Sequence, residues 1–248
     1  GALASLEPYL ILPEVLDPKA WPDGKIPYLY KDKTAIPLSS AWTSYVAINT
    51  DMVKQGQLAS YKDLLKPEYR GMVGYLDPTS AFVGYPSATA ANLALGGSFD
   101  NLTPGINFFK ELRKNDPIVP KQTSYARVLS GEIPIMFDYD FNTLRAKYKD
   151  QCDCAFVVPA EGTIVVPYVM SLVKNGPHPT PAKKVLDYLL TDAGQAIWAN
   201  AFLRPIRPAA MTAEIAAKFP PAAEYQRAKP IDYAKMEEAQ NAFRERYL

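Results

Sequence analysis

Short apolar segments rich in β-branched and aromatic residues alternate with helical patterns through the middle of the chain. This alternation predicts an α/β domain with a mostly parallel sheet, because parallel strands need helical crossovers between them. Strands are predicted at residues 44–49, 72–76, 133–137, 154–158 and 165–173. Helices are predicted at residues 51–57, 61–65, 81–95, 123–130, 143–148 and 181–198, with a further one starting at Thr103. Ser60 and Asp63 form the pattern of a capping box at the start of the second of these helices.

The composition fits a globular chain with balanced charge. The 248 residues are 48% hydrophobic, which is enough for one large domain or two small ones. Lys plus Arg number 27 and Asp plus Glu number 26, so the formal net charge is +1. A DNA-binding chain usually has a strong basic excess, so no nucleic-acid partner is expected. No apolar run approaches the ~20 residues that a membrane helix needs. The sequence from Gly1 onward is typical of a mature protein, and no signal peptide is recognised in it.

The cysteines and the histidine exclude several kinds of chemistry. Cys152 and Cys154 are two residues apart, and in a strand such residues lie on one face about 6.5–7 Å apart. A disulfide usually needs closer Cα atoms, so two free thiols or an incidental contact are predicted. The single histidine, His178, lies between two prolines in a loop. His-based triads and His-rich metal sites are therefore excluded.

Polar residues follow the predicted strand at 72–76. Thr79 and Ser80 come directly before the predicted helix at 81–95. Hydroxyls at a helix start can cap its unpaired N–H groups, and the same groups favour an anion. The sequence leaves both roles open for this first turn.

The second polar turn follows the predicted strand at 133–137 and contains Asp138, Tyr139, Asp140 and Asn142. Its carboxylates could supply hard oxygen ligands to a metal ion or hold an ammonium group. Alternatively the turn is solvated and Asn142 caps the next helix, since Asp and Asn are common in turns.

The third polar turn contains Glu161 and Thr163, and Tyr168 follows in the next strand. A fourth candidate group precedes the first long strand and contains Ser39, Trp42 and Thr43. An aromatic wall such as Trp42 can stack on a ligand, although packing between lobes explains it equally well. Tyr168 could likewise line a cleft or belong to the core.

The segment 158–205 carries a family resemblance. Its Pro159, Glu161 and Gly162 precede an apolar strand that ends in Leu-Val-Lys, and a proline loop, a helix and Gly194-Gln195 follow. This order resembles the closing segment of the periplasmic solute-binding proteins of ABC importers, in the branch that carries ferric iron, thiamine, polyamines and phosphonates. Residues 60–71 resemble a D-L-L-x-P-x-x-x-G pattern of the same proteins.

The resemblance implies a two-lobed type II periplasmic-binding-protein fold with crossover hinge strands. Residues 1–50 and 163–248 would form the first lobe, and residues 51–162 the second. Family members begin with a βαβαβ unit ahead of the part that resembles residues 1–9, and this chain lacks that unit. The first lobe is therefore expected to be incomplete.

The resemblance also implies a function without catalysis or cofactor. A small-molecule solute would bind between the lobes of a monomer, which would close and dock on a membrane permease in the periplasm or, lipid-anchored, outside the cell. A small polar organic zwitterion or anion is expected first. A ferric ion held by Tyr139, Asp138 and Asp140 comes second, and a polyamine third, because Met170 stands where polyamine binders have an acid.

Two functions of other classes stay open. Asp138, Asp140 or Glu161 could act as acid and base of an α/β enzyme. The same fold could also serve as a sensor domain. The chain has no nucleophile elbow, Walker loop or dinucleotide-binding glycine motif, which favours binding over catalysis.

Overall fold

The computed structural model describes residues 1–54, 56–122 and 125–247, and the side chains of these residues except those of 42–47 and 222. The chain divides into two compact units. Unit 1 comprises residues 1–41 and 167–219, and unit 2 comprises residues 42–166 and 220–248. Two strands, β2 (Ile36–Asn49) and β6 (Ile164–Met170), each run from one unit into the other.

Unit 1 combines short strands with helices around its own core. Strand β1 (Leu3–Ala4) pairs antiparallel with β7 (Leu172–Val173), and the first part of β2 pairs antiparallel with β8 (Arg204–Pro205). The α-helices of this unit are α1 (Pro13–Leu16), α6 (Pro179–Leu189), α7 (Asp192–Asn200) and α8 (Ala213–Ala216). Its 3₁₀ helices are Glu7–Tyr9, Pro18–Ala20 and Pro208–Ala210. The buried core contains Leu6, Val15, Trp21, Ile36, Leu186 and Leu190, among others.

Unit 2 contains a sheet in the order β3-β4-β2-β5, flanked by helices. Its further strands are β3 (Val73–Gly74), β4 (Ile135–Tyr139) and β5 (Cys154–Val157). Its α-helices are α2 (Gly84–Ala94), α3 (Thr103–Arg113), α4 (Tyr125–Leu129), α5 (Asp140–Tyr148), α9 (Ala222–Tyr225) and α10 (Tyr233–Tyr247), and its 3₁₀ helices are Tyr61–Leu65 and Pro67–Tyr69. The core is aromatic and contains Tyr61, Tyr75, Phe108, Phe109, Phe137 and Phe243.

The strand directions in unit 2 differ from the mostly parallel sheet that was predicted. β3 and β4 pair in parallel, whereas β2 is antiparallel to both β4 and β5. Therefore β3, β4 and β5 run in one direction and β2 runs against them. β2 enters the sheet from unit 1 and not through a helical crossover, so the rule that makes crossover-linked strands parallel does not apply to it.

Several predicted helices differ from those of the structure in type, length or number. The described part of 51–57 forms turns and not a helix, and the helix predicted at 81–95 begins only at Gly84. The single helix predicted at 181–198 is two helices, because Thr191 accepts a hydrogen bond from the Gly194 N–H and starts a second one. The capping box of Ser60 and Asp63 is confirmed.

The expectation of free thiols is wrong: Cys152 and Cys154 form a disulfide. Their Cα atoms are 5.1 Å apart, which is closer than the strand spacing assumed from the sequence. β5 begins only at Cys154, and Gln151 has a left-handed φ of 56°, so the chain around Cys152 is bent and not extended. The half-buried Cys152 and the buried Cys154 pack against Met136 and Ala146.

The compact units and the predicted lobes have different boundaries. The lobes were predicted at 1–50 with 163–248 and at 51–162, and these boundaries stay a prediction. Residues 220–248 cluster with unit 2, because Phe243 and Tyr247 of α10 are buried in its aromatic core. Among the described residues, no helix is both long and apolar enough to cross a membrane.

Candidate functional site

Three loops of unit 2 leave the sheet at the same edge. β3, β4 and β5 run in one direction, so the loops that follow them share the edge formed by their carboxyl ends. These loops carry the first turn after β3, the second turn after β4 and the third turn after β5. Loops at the carboxyl ends of strands are the usual ligand-binding elements of open α/β folds.

Asp138 is the most distinctive side chain at this edge. It is fully buried in β4, and its Oδ1 accepts hydrogen bonds from the Asn142 side-chain amide and the Tyr139 N–H, both at 2.8 Å. Its Oδ2 has no hydrogen-bond partner among the described residues. Burial raises the pKa of the Asp138 carboxyl to about 6, although both hydrogen bonds oppose this shift.

A β-bulge lies across from Asp138. Thr43 pairs with Tyr139, and Val46 pairs with Phe137. An advance of three residues along β2 therefore corresponds to an advance of two residues along β4. Bulges are common beside binding sites because they change the direction of neighbouring side chains. The side chains of Trp42 and Thr43, both candidates from the sequence, lie outside the described residues, but the register places the Thr43 backbone beside Tyr139.

The other residues of the second turn are ordered by local contacts. The Tyr139 ring is stacked on Phe141 with 5.5 Å between ring centroids, and Tyr139 is 3% exposed. Asp140 is buried and its Oδ1 accepts from the Phe141 N–H. Asn142 does not cap α5 as the alternative interpretation expected, because the helix begins at Asp140 and the Asn142 amide binds Asp138 instead.

No group of three or more His, Cys, Asp or Glu side chains that could hold a metal ion occurs among the described residues.

Hydrogen bonds to Asp77 hold the first turn in its conformation. Asp77 Oδ1 accepts hydrogen bonds from the Thr79 N–H and the Thr79 hydroxyl, both at 2.7 Å. The Thr79 carbonyl accepts a 2.6 Å bond from Nε of Arg244 in α10. Ser80 is exposed. The turn is therefore fixed on both sides and presents Ser80 to solvent.

The helix after the first turn does not form the predicted anion site. α2 begins at Gly84, four residues beyond Ser80, and its N-cap residue Val83 makes no side-chain hydrogen bond to the helix. The Gly84 and Tyr85 N–H groups donate to the Ala81 carbonyl, and the next residue, Pro86, has no N–H. Thr79 and Ser80 therefore neither cap this helix nor lie at its free donors.

Groups of the third turn form hydrogen bonds with other residues of unit 2. Glu161 accepts a hydrogen bond from the Ser60 hydroxyl. Thr163 is fully buried, and its carbonyl accepts a 2.8 Å bond from the Lys229 N–H. Gly162 has a φ of 116°, and a Cβ there would lie 2.5 Å from the Arg227 carbonyl oxygen. The segment 227–229 thus covers this turn, and the sequence offers no signal for that cover.

Ser39 and Tyr168 belong to unit 1. Ser39 is fully buried in β2 opposite Pro205, and its hydroxyl has no partner among the described residues. Tyr168 is half-buried in β6.

Two compact units joined by β2 and β6 are the arrangement expected of a two-lobed periplasmic-binding-protein fold. The chain belongs to the family of bacterial extracellular solute-binding proteins, whose family model matches residues 14–239. No curated protein sequence matches the chain.

Solved structures share the fold at low sequence identity. Iron-bound HitA from Pseudomonas aeruginosa aligns with a TM-score of 0.71 and 21% identity, over 100% of this chain and 77% of its own. AfuA from Actinobacillus pleuropneumoniae, with fructose-6-phosphate bound, aligns with a TM-score of 0.71 and 18% identity, over 99% and 81%. A periplasmic thiamin binding protein aligns with a TM-score of 0.71 and 15% identity, over 100% and 72%. At these identities the likeness shows the fold alone.

Proposed function

We propose that this chain captures a small polar organic solute beside Asp138 and delivers it to the membrane permease of an ABC importer. One observation carries the proposal: a fully buried carboxylate with one unpaired oxygen lies at the sheet edge from which three loops leave. A buried acceptor without a donor is unfavourable in the free protein, and a ligand donor would satisfy it.

The chemistry of the edge favours a solute with an ammonium or hydroxyl donor. Asp138 would accept from that donor, with Asn142 holding the carboxylate in place. Ser80 is exposed beside the first turn and can bond a polar or anionic end of the solute. Phe141, which is half-buried and stacked on the buried Tyr139 ring, provides aromatic surface. A zwitterion, or an anion with an amino or hydroxylated end, meets these requirements.

Capture would proceed by bending at β2 and β6, since each strand runs from one unit into the other. Binding and release need no nucleophile and no cofactor, and the chain would act as a monomer in the periplasm or anchored outside the cytoplasmic membrane. A ferric ion held by Tyr139, Asp138 and Asp140 ranks second. It ranks lower because a single tyrosine is available in this turn and its ring is stacked and 3% exposed.

The test is to recover the solute and measure its effect on stability. Native mass spectrometry of protein purified under mild conditions should reveal a bound polar organic molecule. Adding that molecule to stripped protein should raise the melting temperature, because it binds the folded form only. Asp138→Asn should lose most of this rise, while the exposed control Lys218→Ala should keep it.

Three outcomes would overturn the proposal. Recovery of iron in place of an organic molecule would favour the ferric alternative. Conversion of the molecule into a product would favour an enzyme that uses the carboxylates. An undiminished response in Asp138→Asn would remove Asp138 from the site.

A further inference from the structure

A cavity lies in unit 2, and its lining residues are not among the binding-site candidates named from the sequence. Its volume is about 460 Å³, and it is lined by Tyr75, Asp77, Arg113, Asp116, Val119 and Tyr247, among others. This volume falls in the range that holds small organic ligands. Its lining combines residues from the end of β3, the end of α3 and the last turn of α10.

Arg113 supplies a positive charge to this cavity. Its guanidinium lies over the Tyr247 ring with 4.3 Å to the centroid, and Nη2 donates a 3.2 Å bond to the Tyr247 carbonyl. These contacts hold the group in place without neutralising it, since Arg113 makes no salt bridge with a carboxylate of the described residues. A guanidinium has five N–H donors; the Tyr247 carbonyl and the Tyr75 and Tyr247 hydroxyls take some of them, and the others remain for a ligand.

A pair of buried hydroxyls adds a neutral donor. The Tyr75 and Tyr247 hydroxyl oxygens are 2.9 Å apart, and the two side chains are 1% and 5% exposed. In such a pair one hydroxyl donates to the other, whose own proton is left for a further acceptor. Burial raises the pKa of the Tyr75 hydroxyl, so it stays protonated at neutral pH.

The two acids of the cavity differ in their partners. Asp116 forms a salt bridge with Arg70 at 2.6 Å and is neutralised by it. Asp77 accepts from Thr79 through Oδ1 but forms no salt bridge with a described residue, so its negative charge is unmatched. Among the residues that the structure describes, the cavity therefore presents one positive charge, Arg113, and one negative charge, Asp77, that form no salt bridge.

We propose that this cavity binds a compact zwitterion of the α-amino acid type with an apolar side chain. The carboxylate would lie against Arg113 and the tyrosine hydroxyls, and the ammonium group against Asp77. The apolar side chain would cover Val119, which is 46% exposed. A ligand with a single charge of either sign would leave one of the two protein charges unmatched. The inference shares the first turn with the proposed function, because Asp77 fixes the turn that presents Ser80, but it uses none of the residues around Asp138.

The experiment is isothermal titration of the full chain with L-leucine, L-valine and L-methionine. Matched probes are 4-methylpentanoate, which is leucine without its amino group, and 3-methylbutylamine, which is leucine without its carboxylate. At least one amino acid should bind, and both single-charge probes should bind at least tenfold more weakly. Arg113→Gln and Asp77→Asn should each lower the amino-acid affinity at least tenfold. Asn at position 77 keeps the oxygen that accepts from Thr79, so the turn should persist.

The exposed control Lys218→Ala should leave the affinity within twofold, whereas loss of binding in Asp138→Asn but not in Arg113→Gln would place the amino acid at the site of the proposed function. Unchanged melting temperatures of unliganded Arg113→Gln and Asp77→Asn would show that the fold is intact in these two variants. Three results would overturn the inference: no binding of any of the three amino acids, equal binding of a single-charge probe, or loss of binding in Asp138→Asn but not in Arg113→Gln.

Discussion

The side-chain amide of Asn142 donates a 2.8 Å hydrogen bond to Asp138 Oδ1, while Asp138 Oδ2 has no partner among the described residues. One half of this buried carboxylate is therefore satisfied and the other half is not. Burial without a compensating cation raises the pKa of the carboxyl to about 6. The same imbalance that makes Asp138 a candidate ligand contact should be measurable as a stability cost.

Asp138→Asn should stabilise the unliganded protein more at pH 7 than at pH 4. The unfolded carboxyl titrates near its ordinary pKa of about 3.9, whereas the folded one titrates near 6. The unfolded state thus loses its proton first as the pH rises, and this group lowers the stability of the wild type by about 2 kcal/mol between pH 4 and pH 7. The asparagine variant does not titrate there. Urea unfolding of both proteins at the two pH values measures the difference, and equal pH dependences would contradict it.

Reduction of the Cys152–Cys154 disulfide should lower stability only modestly. Cross-linking a loop of about three residues removes chain entropy worth about 1.6 kcal/mol. For a protein of this size we expect a fall in melting temperature of about 3 to 6 °C on adding a thiol reductant. The double variant Cys152→Ser, Cys154→Ser should melt at the lower temperature and not respond to reductant. A response of that variant would show that the reductant acts elsewhere.

Arg207 should be a main source of stability in unit 1. It is 2% exposed, its Nε donates a 2.6 Å bond to Asp192, and its Nη1 donates a 3.1 Å bond to the Glu14 carbonyl. Arg207→Met removes these bonds but leaves Asp192 half-exposed and able to regain water. We expect a loss of about 2 to 3 kcal/mol in the free energy of unfolding.

The matched control for Arg207 is Lys218→Ala, whose surface pair with Glu214 should contribute under about 0.5 kcal/mol. Chemical denaturation of the three proteins tests the comparison. Similar losses in both variants would show that burial does not strengthen the Arg207 contacts.

Gly162→Ala should destabilise unit 2 more than Gly71→Ala. Both glycines have positive φ, 116° and 73°, so alanine is strained at either position by about 1 to 2 kcal/mol. A Cβ at Gly162 would also lie 2.5 Å from the Arg227 carbonyl oxygen, whereas a Cβ at Gly71 would meet nothing within 4 Å. Differential scanning calorimetry should show the larger fall for Gly162→Ala. Equal falls would mean that the segment 227–229 moves away without cost.

The sequence by itself determined the features that depend on near neighbours. The Ser60–Asp63 capping box, the helix that begins at Thr103 and the order of strands and helices all follow from residues within a few positions of one another. The order of motifs in 158–205 was also sufficient to indicate the family. Hydrophobic periodicity and capping are local properties, so a sequence can carry them without reference to the rest of the fold.

Only the tertiary structure decided which polar groups stay available. Glu161 accepts a hydrogen bond from Ser60, which lies 101 residues away in the sequence. The segment 227–229 covers the turn that contains Thr163. The packing of β4 also decides that Asp138 is fully buried and that its Oδ2 has no hydrogen-bond partner among the described residues. The bend that brings Cys152 close enough to Cys154, and the reversed direction of β2, are likewise invisible in the local pattern. Hydrogen-bond partners and burial are set by distant segments, because they depend on where the chain returns in space and not on its neighbours along the sequence.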